Sequence, residues 1–192
     1  TQLDMEQGSP ESTGRQLDVA ISGQGFFRVQ IDPSIGDGIA YTRNGNFFIN
    51  NNNELVLGMG DGYRLDPPIT IPAQSTEINI SEAGLVQVLT AGQVAKQTVG
   101  QIQLYQFVNP NGLNLLGSSL YQETDSSGNA IEARPGEDGA GKTLQGFLES
   151  SNVDPVKELV TLIKTQRAFE LNSQSIQTAD QALQTIGNLR RF

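Results

Sequence analysis

From Leu17 onward the chain alternates apolar and polar positions in short runs. Leu17, Val19 and Ile21 interleave with Asp18 and Ala20, the period of two at which successive side chains face opposite sides of a half-buried strand. Gly23 and Gly25 punctuate, and Phe26–Ile31 predicts a second strand. Ile39–Thr42 and Asn46–Ile49 flank Arg43-Asn44-Gly45, and Asn-Gly between apolar runs predicts a hairpin. Glu54–Leu57, Tyr63–Leu65, Ile69–Ile71, Glu77–Ile80, Leu85–Leu89 and Val99–Phe107 predict further strands. Pro67, Pro68 and Pro72 make the Ile69 piece an edge or crossing segment. Residues 109–143 are looser and rich in turn signals, and Leu144–Glu149 predicts a last strand. Its Gln145-Gly146-Phe147-Leu148 echoes Gln24-Gly25-Phe26-Phe27, which makes the entering and leaving segments candidates to pair. Turns at roughly 8–12 residue intervals predict a sandwich or barrel-like β domain.

The pattern changes at Asp154. Asp154 suits an N-cap and Pro155 the first helical position, where the missing N–H is not needed. Val156–Ile186 contains no Gly or Pro, so the spacing predicts one helix of roughly 35 residues, about 50 Å long. Val156, Leu159, Val160, Leu162 and Ile163 cover a wide arc of its first turns. Leu162, Phe169, Ile176 and Leu183 then recur every seven residues, with Ala179 and Ile186 in the companion seam. A strict seven-residue repeat favours a left-handed coiled coil. Between Thr165 and Thr185 the polar positions are mostly Gln, Asn, Ser and Thr, where a solvated helix carries Glu and Lys. Such groups hydrogen-bond in crowded contacts without burying charge. The expectation is that Val156, Leu159, Leu162, Ile163, Phe169, Ile176, Ala179, Leu183 and Ile186 form an assembly interface. The competing reading is an amphipathic helix folded back along its own domain. The organisation expected is an extended linker over 1–16, a β-rich domain over 17–149 and the helix over 150–192, mainly β with one long C-terminal helix.

Composition narrows the chemistry. The chain has no Cys and no His, which removes thiol nucleophiles, Cys/His metal sites and Ser-His-Asp triads. A net charge of −9 argues against a nucleic-acid partner, because phosphate binding draws on clustered Lys and Arg. No apolar run reaches membrane-spanning length, and no cleavable signal sequence is visible.

Three segments imitate binding motifs. Gly136-Glu137-Asp138-Gly139-Ala140-Gly141-Lys142-Thr143 fits the phosphate-loop pattern, which requires a buried strand before it and a helix after it. Pro135 precedes it, Gly146 and Pro155 deny the helix, and two acids crowd the phosphate position, so it reads as a turn-rich loop. Gly58–Gly62 lacks a following helix, and Asp125–Glu132 lacks the ligand spacing of a calcium loop. The doublets Phe26-Phe27 and Phe47-Phe48 should each send one ring to the core and one to the opposite face. No cofactor, metal or catalytic residue is expected.

Two long stretches resemble a known family. Leu17-Asp18-Val19-Ala20-Ile21-Ser22-Gly23-Gln24-Gly25-Phe26-Phe27, followed by Tyr41-Thr42-Arg43-Asn44-Gly45-Asn46-Phe47, is similar to the central motif of bacterial flagellar rod and hook proteins. Glu149–Val153, Glu158-Leu159-Val160, Ile163, Gln166–Glu170 and Asn172-Ser173 resemble the same family's terminal helix. Pro67–Pro72 together with Asn109–Leu113 is most like its distal-rod branch, with the proximal rod and hook branches as alternatives. The resemblance implies a structural subunit, not an enzyme, that stacks with itself into a helical tube whose terminal helices line an export channel. It implies periplasmic basal-body placement and export through the flagellar secretion apparatus without a cleaved signal. The implied partners are the proximal rod and hook proteins, the surrounding L-ring and P-ring proteins and the export apparatus. The family also carries a helix upstream of the lead-in, and this sequence begins after it; where that helix is absent, fraying toward residue 192 is expected. The Asp32–Gly38 loop is longer than the family's usual one. A rival from another class, a secreted carbohydrate-binding or hydrolytic β-domain, is poorly served by no Trp and four Tyr.

Overall fold

The alternating runs become short strands in a computed structural model that describes residues 5–35, 37–58, 62–93 and 95–189, with helix side chains described as far as Gln184. In chain order these are β1 (Pro10–Ser12), β2 (Val19–Ser22), β3 (Phe27–Gln30), β4 (Ile39–Thr42), β5 (Phe47–Ile49) and β6 (Leu55–Leu57). The middle supplies β7 (Tyr63–Asp66), β8 (Ser75–Ile80), β9 (Leu85–Thr90), β10 (Gln97–Gln101) and β11 (Leu104–Gln106). The last are β12 (Asn114–Gly117), β13 (Leu120–Gln122), β14 (Ile131–Ala133), β15 (Lys142–Gln145) and β16 (Phe147–Glu149), followed by the helix α1 (Pro155–Leu189). The chain divides into two units, Thr1–Asn152 and Val153–Phe192. The fold class is as expected, mainly β with one long C-terminal helix.

Within the first unit, a seven-stranded sheet runs in the order β12-β13-β4-β3-β7-β6-β5. β8, β9 and β10 form a meander, and β1–β16, β2–β15 and β11–β14 are two-stranded ribbons. No sheet of the described residues closes into a barrel. The pleat of β3 explains how the core divides. Phe27 and Val29 point into the main core with Val19, Ile21, Phe47, Leu65 and Ile102. Phe26, on the other face, packs with Tyr41, Tyr105 and Leu113. The second doublet splits similarly: Phe47 meets Phe27 edge to face at 5.2 Å, while Phe48 is half-buried under the Arg15 guanidinium.

The entering and leaving segments do pair, with Ile21 opposite Thr143 and Val19 opposite Gln145. Other expectations are corrected. The Asn44-Gly45 turn does not close a hairpin, because β4 pairs with β3 and β13 while β5 pairs with β6. The turn instead passes beneath the entering strand: Val19 N donates to Gly45 O at 3.0 Å and Phe47 N to Leu17 O at 3.3 Å. Val99–Phe107 is two strands. Ile102 N donates to Gly84 O, and the chain then leaves the meander to bond Phe26 through Tyr105 in both directions. Ile69–Ile71 is no strand; Thr70 makes an isolated bridge to Glu54. Residues 109–143 hold β12, β13 and β14, and Gly146, at φ +79°, breaks the last run into β15 and β16.

One side-chain amide completes the meander's edge. Gln145 accepts from Ile80 N at 3.0 Å and donates to Ile78 O and Gln16 O at 2.8 Å each. Two strand-like bonds to β8 thus come from a residue outside it, which satisfies backbone groups that a bare edge would leave unpaired, and the third ties Gln16 to the same amide.

The crossing at Gly45 yields a test. A Cβ there would lie 1.7 Å from Val19 O, and the obstacle is backbone, so Gly45→Ala should cost at least about 3 kcal/mol or prevent folding. Asn44→Ala, which removes only the turn bond to Asn46 N, should cost about 1 kcal/mol. Urea unfolding followed by far-ultraviolet circular dichroism measures both.

Candidate assembly surfaces

The helix begins as its local chemistry requires. Asp154 Oδ1 accepts from Val156 N at 2.9 Å and Lys157 N at 3.3 Å, and Glu158 N donates to Asp154 O. Two otherwise orphaned amides are thereby capped, and Glu158 adds a negative charge in the first turn, where the helix dipole favours it. Thr161, Thr165 and Thr178 donate their hydroxyls to carbonyls four residues back, so these groups are satisfied within the helix and place no demand on a neighbour.

Its apolar side chains lie open to solvent. Exposure runs from 43 % at Ile163 to 73 % at Phe169, and Val156, Leu159, Leu162, Ile176 and Leu183 fall between. Ala179 is also exposed. The Ile186 side chain, Arg190, Arg191 and the terminus where fraying was expected lie outside the described residues. At about 100° per residue, the seven-residue series from Leu162 to Leu183 drifts slowly around the axis, whereas Leu171 lies nearly opposite Phe169. The apolar residues therefore occupy more than one face.

The family-like motif of the β unit serves a different purpose, since its residues build the unit's own framework. Leu17 packs on the main core, and Asp18, Val19, Ala20 and Ile21 are buried. Gly23 and Gly25 have φ of +115° and +137°, and a Cβ on Gly23 would strike Gly141. Asp18 accepts from Thr13 Oγ1 at 2.6 Å and faces Arg15 at 3.5 Å. Arg43 pairs with Glu149 through Nε at 2.7 Å and donates to Gly25 O at 2.9 Å and Gly23 O at 3.2 Å. The importance of Glu149 was missed, because nothing in its sequence neighbourhood announces a partner 106 positions away.

The phosphate-loop imitation is spent internally. Lys142 opens strand β15 rather than a helix and pairs with Glu82 at 2.8 Å. The contact raises the lysine's pKa and lowers the carboxylate's. Gly136 N and Gly141 N donate to Gly141 O and Gln24 O, so amides that would cradle a phosphate are occupied. Met59, Gly60 and Asp61 of the other glycine-rich loop lie outside the described residues. Ser127, in the calcium-loop imitation, is buried and bonds Thr124 O and Gly128 O, which makes that segment a self-satisfied turn. The basic residues Arg15, Arg28, Arg43, Arg64, Lys96 and Lys142 each face a carboxylate within the β unit. Acids outnumber bases in the unit, and Glu137 and Asp138 are among the exposed ones.

Sequence comparison now bears on what these surfaces are for. Residues 20–88 match the family model described as flagellar hook protein FlgE/F/G D1 domain, and residues 144–189 that described as flagellar basal body rod FlgEFG protein C-terminal. The chain is 50 % identical over 185 residues to the flagellar basal-body rod protein FlgG of Caulobacter vibrioides, covering 96 % of this chain and 69 % of that one. It is 47 % identical over 184 residues to the FlgG of Buchnera aphidicola, covering 95 % and 68 %. The chain belongs to the flagellar basal-body rod protein family. The flagellar hook protein FlgE of Salmonella typhimurium matches less, at 37 % identity over 138 residues and 32 % of its own length. As a family member the chain is a structural flagellar rod subunit of the basal body, and its relatives are structural rod proteins rather than enzymes.

Tyr41 and Tyr105 give the β unit an alkaline signature. Burial, above all, pushes both phenols up to about 12; the charge of Glu123 adds to the effect at Tyr41, and Arg28 opposes it at both. An unfolded tyrosine ionises near 10, so between 10 and about 12 the unfolded chain loses protons first and rising pH favours it. Stability of the unit should hold up to pH 10 and fall from there through 12. Ultraviolet phenolate absorbance followed alongside unfolding tests this, and Tyr41→Phe should remove part of the late-titrating signal.

Proposed function

We propose that the chain polymerises with copies of itself into the helical tube of the distal rod, which serves as drive shaft and as the wall of the export channel. The observation that carries this reading is the row of exposed apolar side chains on α1, from Val156 to Leu183. Full burial of a Val, Leu, Ile or Phe side chain is worth about 1.5–3 kcal/mol, so each is a contact the isolated unit does not make. Apolar residues on several faces, with amide and hydroxyl groups between them, suit a helix surrounded by other helices. Val156, Leu159, Leu162, Ile163, Phe169, Ile176, Ala179, Leu183 and Ile186 are the proposed interface. Greater identity to rod proteins than to the hook protein favours the rod over the hook.

Placed there, the chain acts by packing and carries out no catalysis. Its proposed neighbours are the proximal rod and hook proteins at the two ends, the L-ring and P-ring proteins around it and the export apparatus that delivers it. It works in the periplasm and is exported without a cleaved signal peptide. No helix among the described residues is long and apolar enough to cross a membrane, in keeping with a subunit held by its neighbours. The acidic surface of the β unit is the proposed face toward the rings.

Ile176→Asp and Leu183→Asp should each cut assembled rods by at least about tenfold in cells lacking the natural protein, because a carboxylate would have to be buried in the seam. The β unit's thermal unfolding should not change. Electron microscopy of isolated basal bodies and swimming assays read the outcome; wild-type rods from both variants would defeat the interface. Charge reversal at Glu137 and Asp138 should leave rod formation intact and reduce ring occupancy, and unchanged rings would remove the ring assignment alone.

A further inference from the structure

The chain enters and leaves the β unit through a narrow two-stranded stem. Among the described residues β1 pairs only with β16, Glu11 opposite Leu148 and Pro10 opposite Glu149. Beyond that register, Ser150 N donates to Ser9 O at 3.0 Å. A Cβ on Gly8 would lie 1.8 Å from Ser150 O, so the two backbones touch. Little apolar burial holds them: β1 is exposed throughout and β16 is only half-buried. A segment with few buried apolar contacts opens locally at low cost.

What closes the stem is polar and converges on one ion pair. Glu149 spends one oxygen on Arg43 Nε at 2.7 Å and the other on the Gly8 amide at 2.9 Å. Arg43 in turn is anchored to the unit's framework by the carbonyls of Gly23 and Gly25. Gln7 adds a second tie, donating to Ile21 O at 3.0 Å and accepting from Gly23 N at 2.9 Å. One carboxylate therefore joins the entering segment, the leaving segment and the framework. Both partners are largely buried, with side chains 16 % and 13 % exposed, where charge-assisted bonds are strongest.

We infer that Arg43–Glu149 is a latch that holds the entering and leaving segments side by side, and that its loss opens the stem without unfolding the β unit. The roles divide by position. Arg43 keeps its carbonyl acceptors when Glu149 is removed, so the framework retains its bonds. The stem, however, loses the acceptor of the Gly8 amide and the tie through Glu149 to that framework.

Amide hydrogen exchange resolved by residue tests the latch. In Glu149→Ala the Gly8 and Ser150 amides should exchange at least about tenfold faster, while the amides of β3 and β4 keep wild-type protection. Arg43→Lys, which keeps the charge but loses the planar fork, should give the same pattern more weakly. The chain has no cysteine, so an engineered pair at Glu11→Cys and Leu148→Cys, opposite each other in register, forms an unambiguous disulfide. Oxidising it in the Glu149→Ala background should restore protection at Ser150. Gly8 and Ser150 exchange within about twofold of wild type in both single variants, a rise in β3 and β4 as large as that in the stem, or no recovery on oxidation would each overturn the latch.

Discussion

Where Val19 passes Gly45, two backbones lie in contact with no space for a side chain, and the arrangement of the β unit follows from that crossing. The bond from Val19 N to Gly45 O, the bond from Phe47 N to Leu17 O and the bridge between Asp18 and Asn46 tie the entering strand across the turn between β4 and β5. β2 on one side of the crossing pairs with β15, and β4 and β5 on the other belong to the seven-stranded sheet. The crossing thus joins the two ends of the unit's sequence to its largest sheet. Phe27 and Phe47 pack edge to face beside it, and the Phe27 ring itself lies within contact distance of the Gly45 position. Hydrophobic burial supplies most of the driving force, but geometry at one glycine decides which strands meet.

Polar groups then do what strand pairing leaves undone. Gln145 stands in for a strand along the edge of β8, and Asp18 gathers Thr13 and Arg15 onto the framework. Arg43 and Glu149 draw the stem closed. Each has a defined hydrogen-bond or ion-pair partner, and such groups select one arrangement among several of similar burial. Most basic residues of the unit are paired internally, and its net charge is negative because acids outnumber bases in its sequence.

The helix follows a different rule. Its cap, its length and its self-satisfied threonines are local, and all could form in isolation. Its described apolar residues lie exposed, and their spread over several faces fits the proposed subunit completed by its neighbours. In the proposed assembly, the surfaces that would stabilise a polymer are those left open in the single chain.

The helix was legible because its determinants sit within a turn of one another: Asp154 before Pro155, no Gly or Pro through Ile186, and a seven-residue apolar series. Most strands were legible for the same reason, as alternation is a property of adjacent residues. The rod-family motif was legible too, but not what its residues do. The false hairpin at Asn44-Gly45 shows the limit: the turn signal was read correctly, yet a buried backbone contact with Val19 sent β5 elsewhere. β12 and β14 escaped because their residues are largely exposed and held by pairing, and β13 because a run of three residues is too short for alternation to show. Glu149 and Gln145 escaped because their partners are distant in sequence. Local propensity and periodicity were settled by the sequence alone, whereas strand order, the crossing at Gly45 and the stem's closure depended on bonds between residues that only the folded chain brings within reach.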